Sequence, residues 1–429
     1  METLNEEQVK AFQAIQSGKS IFLTGPGGTG KSYLIKQLYE KLEGVSVTAM
    51  TGCAALLIGS FAKTLHSWSG IGLGKDPTYK TCAIIRRSKK AETRWKETKI
   101  LIIDEASMMT SELLEKLDEV ARNIRNCAGK PMGGLQIVFV GDFYQLPPVF
   151  RVGECDKFVF ESPLWNEIVE ETIELKQIVR QSDPVFQKIL NEARIGEMSE
   201  ESIAILKGRQ NLPWNKLTIK PTLLYNYRSQ VDIVNEQNLK ALPGEKMTFK
   251  AEKKDGDKII DENVKMKATV REAFERLEKN ASYKNVLVLA VGAQVMLLKN
   301  KNDFSGLMNG SRGVVVGFEL HGTEYEPRVQ FHSGITISIG RETWESPEDE
   351  FKGLRIKQIP LDLAYAVTIH KSQGATLDLA LIDIGRSTFE YGQAYVALSR
   401  VKSLESLYIW NFEPSVIRAN KKVKEFYSA

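Results

Sequence analysis

Eight consecutive residues, Gly25-Pro26-Gly27-Gly28-Thr29-Gly30-Lys31-Ser32, fit the pattern G-x-x-x-x-G-K-[ST] in full. Glycines at these positions let backbone N–H groups close around phosphate oxygens, and a helix that begins there adds the partial positive charge of its N-terminus. Lys31 is placed to reach the β- and γ-phosphates of ATP, and the Ser32 hydroxyl to ligate Mg²⁺. Downstream, Leu101-Ile102-Ile103-Asp104-Glu105 is an apolar run ending in two carboxylates. Beside a phosphate loop, Asp104 would hold the metal through water and Glu105 would orient or deprotonate the attacking water. The same pair of acids could instead cap a helix. Gln145, in Val140-Gly141-Asp142-Phe143-Tyr144-Gln145-Leu146-Pro147-Pro148, is a candidate γ-phosphate sensor because it follows a neighbouring strand. Gln8 forms the capping pattern Asn5-x-x-Gln8, and its amide can also read an adenine edge; the two roles are compatible.

These groups need strand ends and helix starts to hold them. Ile21-Phe22-Leu23 reads as a buried strand and Tyr33–Lys41 as the helix after the glycine turn. Val45–Met50, Ile100–Ile103 and Gln136–Val140 read as further strands. Thr110–Ile124 reads as a helix with Leu113, Leu114, Leu117, Val120, Ala121 and Ile124 on one face. This βαβ alternation implies a parallel sheet covered on both faces. The stretch 60–99 breaks the rhythm and reads as an insertion, glycine-rich at Gly70, Gly72 and Gly74 and basic at Arg86, Arg87, Lys89 and Lys90. A second α/β unit starts after Val179, with strands near Thr222–Leu224, Leu379–Ile382 and Leu407–Ile409. Inside it, Gly313–Phe318, Arg328–Phe331 and Ile335–Ile339 are short strands between turn residues, the pattern of a small β-barrel over about 313–357. Lys246–Lys284 is lysine-rich and reads as solvated surface.

Composition sets the class. The chain has 429 residues, which suggests two to three domains, and its 42% hydrophobic and 26% charged content excludes a wholly disordered chain. The net charge of +4 permits a local basic groove without requiring one. No apolar run approaches the ~20 residues of a membrane span, and Met1–Lys10 lacks the features of a targeting segment. Cys53, Cys82, Cys127 and Cys155 form no C-x-x-C pair, and with only four histidines a zinc site or disulfide framework is not expected. A reduced, intracellular and cytoplasmic setting follows as the expectation.

Several further stretches coincide with one family. Thr64–Gly72, Asp118–Arg125 with Pro131–Gln136, Val291–Leu297, Asn309–Gly313, Ile369–Gly374 and Tyr395–Val401 resemble, in order along the chain, the motifs of superfamily-1 5′→3′ DNA helicases of the petite-integration-frequency (Pif) type. The resemblance runs from Leu4 to about Val401. It implies two tandem RecA-like P-loop domains, 1–178 and 179–429, with an insertion on the first and a small SH3-like β-barrel in the second. It implies an ATP-dependent motor, monomeric, that uses Mg²⁺, moves 5′→3′ on single-stranded DNA and unwinds forked or tailed duplexes. The short termini, without the long extensions of nuclear and mitochondrial relatives, imply a bacterial or viral type. Accessory proteins are left unspecified.

Arg180 and Arg400 match arginines that the family uses at its ATP site; outside such motifs an arginine is usually a surface ion pair. Thr51, Thr64, His66, His370, Lys371 and Ser372 supply donors for DNA phosphates, and Trp68 a face for stacking on bases. Trp68 could instead be a core tryptophan and His370 a packed histidine at a strand end. The Arg86–Lys90 run reads as a solvated face before a DNA track. Two other functions stay open: a DNA-stimulated ATPase that remodels nucleoprotein, and a P-loop switch with an unrelated appendage.

Overall fold

The structure is a computed structural model that describes residues 4–59, 61–72, 76–149, 157–217, 220–256, 258–260, 268–280, 283–299, 301, 307, 309–345 and 353–428. Cys155, Gly74 and part of the barrel segment, 346–352, lie outside the described residues. The chain divides into two units. The first takes Met1–Glu197, Glu390–Tyr395 and Ile417–Ala429, and the second Met198–Phe389 and Val396–Val416.

The first unit is built on six strands: β1 (Ile21–Thr24), β2 (Val45–Ala49), β3 (Lys63–Thr64), β4 (Ile100–Asp104), β5 (Gln136–Val140) and β6 (Glu171–Glu174). They pair in parallel in the order β3-β2-β4-β5-β1-β6. Because side chains alternate across a strand, Phe22, Leu101, Ile103, Ile137 and Phe139 enter one core and Ile21, Leu23, Ile100, Ile102, Val138 and Val140 the other. Helices Glu6–Gln16 and Lys31–Lys41 cover the second face. Helix Ser111–Ile124 covers the first, burying Leu114, Leu117, Val120, Ala121 and Ile124 as its spacing predicts. The order places β4, β5 and β1 side by side, so their carboxyl ends deliver Asp104–Glu105, Gly141–Asp142 and Gly25 to one edge.

The family-like stretch Asp118–Gly134 is a hook that fastens this helix. Asp118, buried, accepts from Met132 N at 2.6 Å and from Arg122 Nε at 2.6 Å. Met132, Gly133 and Gly134 follow one another in the left-handed region (φ 51°, 60° and 75°). A Cβ on Gly133 would stand 2.6 Å from Ala121 O, so the turn needs glycine there.

The stretch 60–99 is more integral than an insertion. It supplies edge strand β3 and helices Leu65–Ser69, Thr78–Arg87 and Lys89–Glu97, and it places Trp68, Cys82, Ile85 and Trp95 in the first core. Arg86, Arg87, Lys89 and Lys90 lie on the exposed side.

In the second unit a parallel sheet runs in the order Ala366–Thr368, Thr222–Tyr225, Ala380–Ile384, Leu407–Phe412. An antiparallel sheet follows the order Thr336–Ser338, Glu324–Phe331, Arg312–His321, Gln294–Leu297, Leu361–Leu363. It draws strands from both sides of the segment 313–357. The lysine-rich stretch from Lys246 is not simply solvated surface. Its described part forms strands and helix Ala268–Asn280, and buries Phe249, Ala273, Phe274 and Leu277. The charges hid an apolar stripe at helical spacing. Among the described residues Cys53, Cys82 and Cys127 form no disulfide, and no helix is long and apolar enough to cross a membrane.

Trp68 corrects an expectation. It is 2% exposed, and its ring centroid lies 4.6 Å from that of Trp95, so it offers no open face for a base. Trp68→Ala should lower the unfolding free energy by about 3–5 kcal/mol, the cost of emptying a large aromatic site. Urea unfolding checks this; wild-type stability with lost DNA binding would restore the stacking role.

Candidate active site

The phosphate loop lies between β1 and helix Lys31–Lys41. Gly25, Gly28 and Gly30 take φ of 135°, 88° and 86°. A Cβ on Gly28 would meet Arg180 Cβ at 2.6 Å, and one on Gly30 would meet Gln8 Nε2 at 2.6 Å. The glycines therefore permit both the turn and the close approach of two candidate residues. Gly30 is the helix N-cap and makes no side-chain cap bond, which leaves the first N–H groups to an anion. Thr29 Oγ1 donates to Pro26 O at 3.0 Å, bracing the loop from within. Lys31 Nζ donates to Gly25 O at 2.6 Å and Pro26 O at 2.9 Å, so the ammonium lies against the loop's own carbonyls. Burial pulls the Lys31 pKa below its ordinary value, while Asp142, Glu105 and Asp104 act to keep it charged. Ser32 is the second residue of the helix. Gln8 completes the capping box with Asn5 and donates to Gly30 O at 3.5 Å, which puts its amide at the loop.

Asp104 ends β4, and Glu105 follows in the left-handed region at φ 57°, ψ 41°. For a non-glycine residue that conformation costs ~1–3 kcal/mol and marks a position held by its surroundings. Gly141 leaves room for the turn that follows: a Cβ there would stand 3.0 Å from Ala106 N. Burial, and then the neighbouring Glu105, push the Asp104 carboxyl up to about 7. Gln145 is buried in the turn after β5, where its N–H donates to Asp142 O at 2.9 Å.

Sequence reasoning passed over the group beneath the loop. Asp142 is fully buried and receives Arg194 Nε at 3.0 and 3.2 Å on its two oxygens. Arg194 Nη1 also reaches Glu174 at 3.1 Å, and its guanidinium lies 4.9 Å from the Tyr144 ring centroid. Burial opposes the Arg194 charge, but Asp142, Tyr395 and Tyr427 together more than offset it and the pKa moves up. The available signal was Asp142 itself, an acid directly after a strand beside the loop.

The two arginines part company. Arg180 falls in the unit that holds the phosphate loop; its N–H donates to Gly28 O at 3.1 Å, and Glu105 lies in its field. Arg400 is 1% exposed within the second unit, with Nε on Val396 O (2.7 Å), Nη1 on Ser372 O and Ala375 O (both 3.2 Å) and Nη2 on Ser399 Oγ (2.7 Å). In this conformation it braces its own unit. The γ-phosphate role expected of Arg400 would require it to leave those bonds.

The DNA candidates are also partly engaged. Thr51 and Thr64 are N-caps, accepting from Ala54 N and Ser67 N, each at 3.2 Å. His66 is half-buried, and burial lowers its pKa. His370, Lys371 and Ser372 form one short helix after strand Ala366–Thr368. Lys371 Nζ is paired with Asp362 at 3.0 Å, and Ser372 Oγ donates to Ile369 O at 2.8 Å. Ser372 is buried, which removes it from the candidates for direct phosphate contact in this conformation.

Asp104 gives the site a pH signature. Its folded pKa of about 7 lies above the ordinary 3.8, so the folded chain binds this proton more tightly than the unfolded chain. The stability it contributes is complete below about pH 4 and is lost as pH rises through about 7. Asp104→Asn, which cannot ionise, should be more stable than wild type at pH 8 by about 2–4 kcal/mol, and the gap should shrink toward pH 4. Urea unfolding of the nucleotide-free proteins at both pH values measures this; equal stability at pH 8 would contradict it.

Comparison with known proteins agrees with this arrangement. The model of the PIF1-like helicase family matches residues 3–213, and that of the DNA helicase Pif1 2B domain matches residues 272–318. The ATP-dependent DNA helicase PIF1 of Homo sapiens is 39% identical over 427 residues, covering 99% of this chain and 63% of that protein. The ATP-dependent DNA helicase RRM3 of Saccharomyces cerevisiae is 32% identical, covering 99% of this chain and 67% of that one. The chain thus spans a little under two thirds of the human relative. The crystal structure of Pif1 helicase from Candida albicans superimposes with a TM-score of 0.81 at 38% identity, covering 100% of this chain and 99% of that one. Pif1 from Bacteroides sp in complex with ADP-AlF4 gives 0.80 at 27% identity, covering 100% and 97%. Matched by that family model over residues 3–213 and by relatives at 32–39% identity over nearly its whole length, the chain belongs to the PIF1-like helicase family.

Proposed function

We propose that this chain is an ATP-dependent DNA helicase that moves 5′→3′ on single-stranded DNA and unwinds forked or tailed duplexes. The observation that carries the reading is the placement of the Gly25–Ser32 loop with Asp104 and Glu105 at the carboxyl ends of β1 and β4, the two strands that flank β5. DNA as the partner is supported by relatives: Bacteroides Pif1 has been solved bound to single-stranded DNA, and a further structure concerns DNA unwinding at forked duplex DNA by two Pif1 helicases. Direction rests on the family resemblance.

In this reading the amides of Gly28, Thr29 and Gly30 surround the phosphates, while the Gly27 N–H is taken up by Tyr395 Oη. Lys31 leaves the carbonyls of Gly25 and Pro26 for the β- and γ-phosphate oxygens, a charge-for-charge gain. Glu105, held in its left-handed conformation, orients the attacking water. Gln145 reads the γ-phosphate, Gln8 the adenine edge, and Arg180 offsets charge on the transferring group. The donor set fits Mg²⁺, which favours few carboxylates plus phosphate oxygens and water. Ser32 and Asp104 supply one hydroxyl and one carboxylate, and the described residues hold no cluster of three or more His, Cys, Asp or Glu suited to another metal. Bound there, the ion would neutralise charge on the β- and γ-oxygens. Thr51, Thr64 and His66 on the first unit, and His370 and Lys371 on the second, are the proposed phosphate donors to DNA. A monomer in an intracellular, reducing setting completes the reading.

Lys31→Ala should abolish DNA-stimulated ATP hydrolysis, and Glu105→Gln should bind ATP but not turn it over. Nucleotide affinity and steady-state hydrolysis of both variants test this, and near wild-type turnover in either sinks the site. Arg180→Ala should slow single-turnover hydrolysis by roughly 10² or more. Arg400→Ala should chiefly lower the melting temperature, because it strips partners from buried carbonyls. A stable Arg400→Ala protein that binds ATP yet fails to hydrolyse it would return Arg400 to the nucleotide.

A further inference from the structure

Six residues far along the chain touch both loops that face the proposed nucleotide. Residues Glu390–Tyr395 belong to the first unit, while the chain on either side of them belongs to the second. Tyr395 Oη accepts from Gly27 N at 2.8 Å and donates to Asp142 Oδ2 at 3.4 Å. Asp142 is in turn fixed by Arg194, so the hydroxyl rests on a buried ion pair. Three residues earlier, Gly392 takes φ 71°, and a Cβ there would stand 2.6 Å from Gln145 O and clash with Tyr144 O. The segment is held from behind by the chain's last stretch: Gly392 N donates to Arg418 O at 3.4 Å, and the Arg418 guanidinium lies 4.8 Å from the Tyr391 ring centroid. Tyr427 adds a bond from the C-terminal helix to Thr24, the residue before the loop, at 2.7 Å.

We propose that residues 390–395 are a strut that sets the shape of the phosphate loop and the Gln145 turn, with Tyr395 as its positioning residue. The inference deepens the nucleotide reading of Gly25–Ser32 and rests on it. A loop this rich in glycine has many conformations to lose when its amides converge on phosphate. A hydroxyl that fixes the Gly27 amide beforehand removes part of that ordering cost from nucleotide binding. Gly392 does the same for the turn that carries Gln145, since only a residue without Cβ lets the strut lie against that backbone.

Tyr395→Phe keeps the ring and deletes only the hydroxyl. The measurement is equilibrium binding of a fluorescent ADP analogue, which needs no hydrolysis, together with melting temperature and the KM and kcat for ATP with single-stranded DNA. The strut predicts an affinity about tenfold weaker, near the value of one hydrogen bond. It also predicts KM rising by a larger factor than kcat falls, and a melting temperature within ~2 °C of wild type. An affinity within twofold of wild type would overturn the proposal. So would a weakened affinity accompanied by a melting temperature lower by more than ~5 °C, the mark of a merely structural contact. Wild-type protein that fails to bind the analogue would overturn the nucleotide site itself, a distinguishable result.

Discussion

Where β1, β4 and β5 end side by side, charges that cannot stand alone in a dry space must balance one another. Asp104, Glu105 and Asp142 face Lys31 and Arg194, and Glu105 also lies in the field of Arg180. Lys31 is pulled down by burial and Asp104 pushed up by it, so the edge is poised for a ligand that brings its own charge. Within that balance Arg194 Nε holds both oxygens of Asp142. Removing one member of such a pair would leave an uncompensated buried charge, which costs far more than an exposed ion pair returns.

Geometry at this edge is maintained from far along the sequence. The hook at Met132–Gly134 seats helix Ser111–Ile124 against β4 and β5. The C-terminal helix Lys421–Ser428 returns to place Phe426 beside Phe22, Phe143 and Trp165, and Tyr427 on Thr24. Residues 390–395 bear on the loop directly. The first unit is therefore not a contiguous stretch of chain, and a boundary drawn after residue 178 would omit Arg180, Arg194, Tyr395 and Tyr427.

Much of this was legible from the residues. Strand Gln136–Val140 has the expected bounds, and the capping box at Asn5 and Gln8 forms as its spacing predicts. Those features are local, set by patterns of two to four residues. β6, with the sequence Glu171-Thr172-Ile173-Glu174, was missed because two charged ends hide a strand whose partner, β1, lies far away in sequence. Trp68 was misjudged because its burial depends on Trp95, which sits on a helix that the basic residues around it made look like surface. Arg400 was assigned by motif alone, and a motif does not reveal that Ser372 and Ala375 carbonyls already hold the guanidinium. Arg194 belonged to no motif and Asp142 showed only as an acid after a strand, because a buried pair is recognised only once both partners are placed.

The central claim is that hydrolysis at this edge drives directed movement on DNA. Its most direct test is unwinding of two duplexes identical except for a 5′ or a 3′ single-stranded tail, followed by strand separation with ATP and with a non-hydrolysable analogue. The account predicts separation of the 5′-tailed duplex with ATP and none with the analogue, while the 3′-tailed duplex stays intact. A protein that hydrolyses ATP with single-stranded DNA yet separates neither duplex, or opens the 3′-tailed one alone, would contradict it.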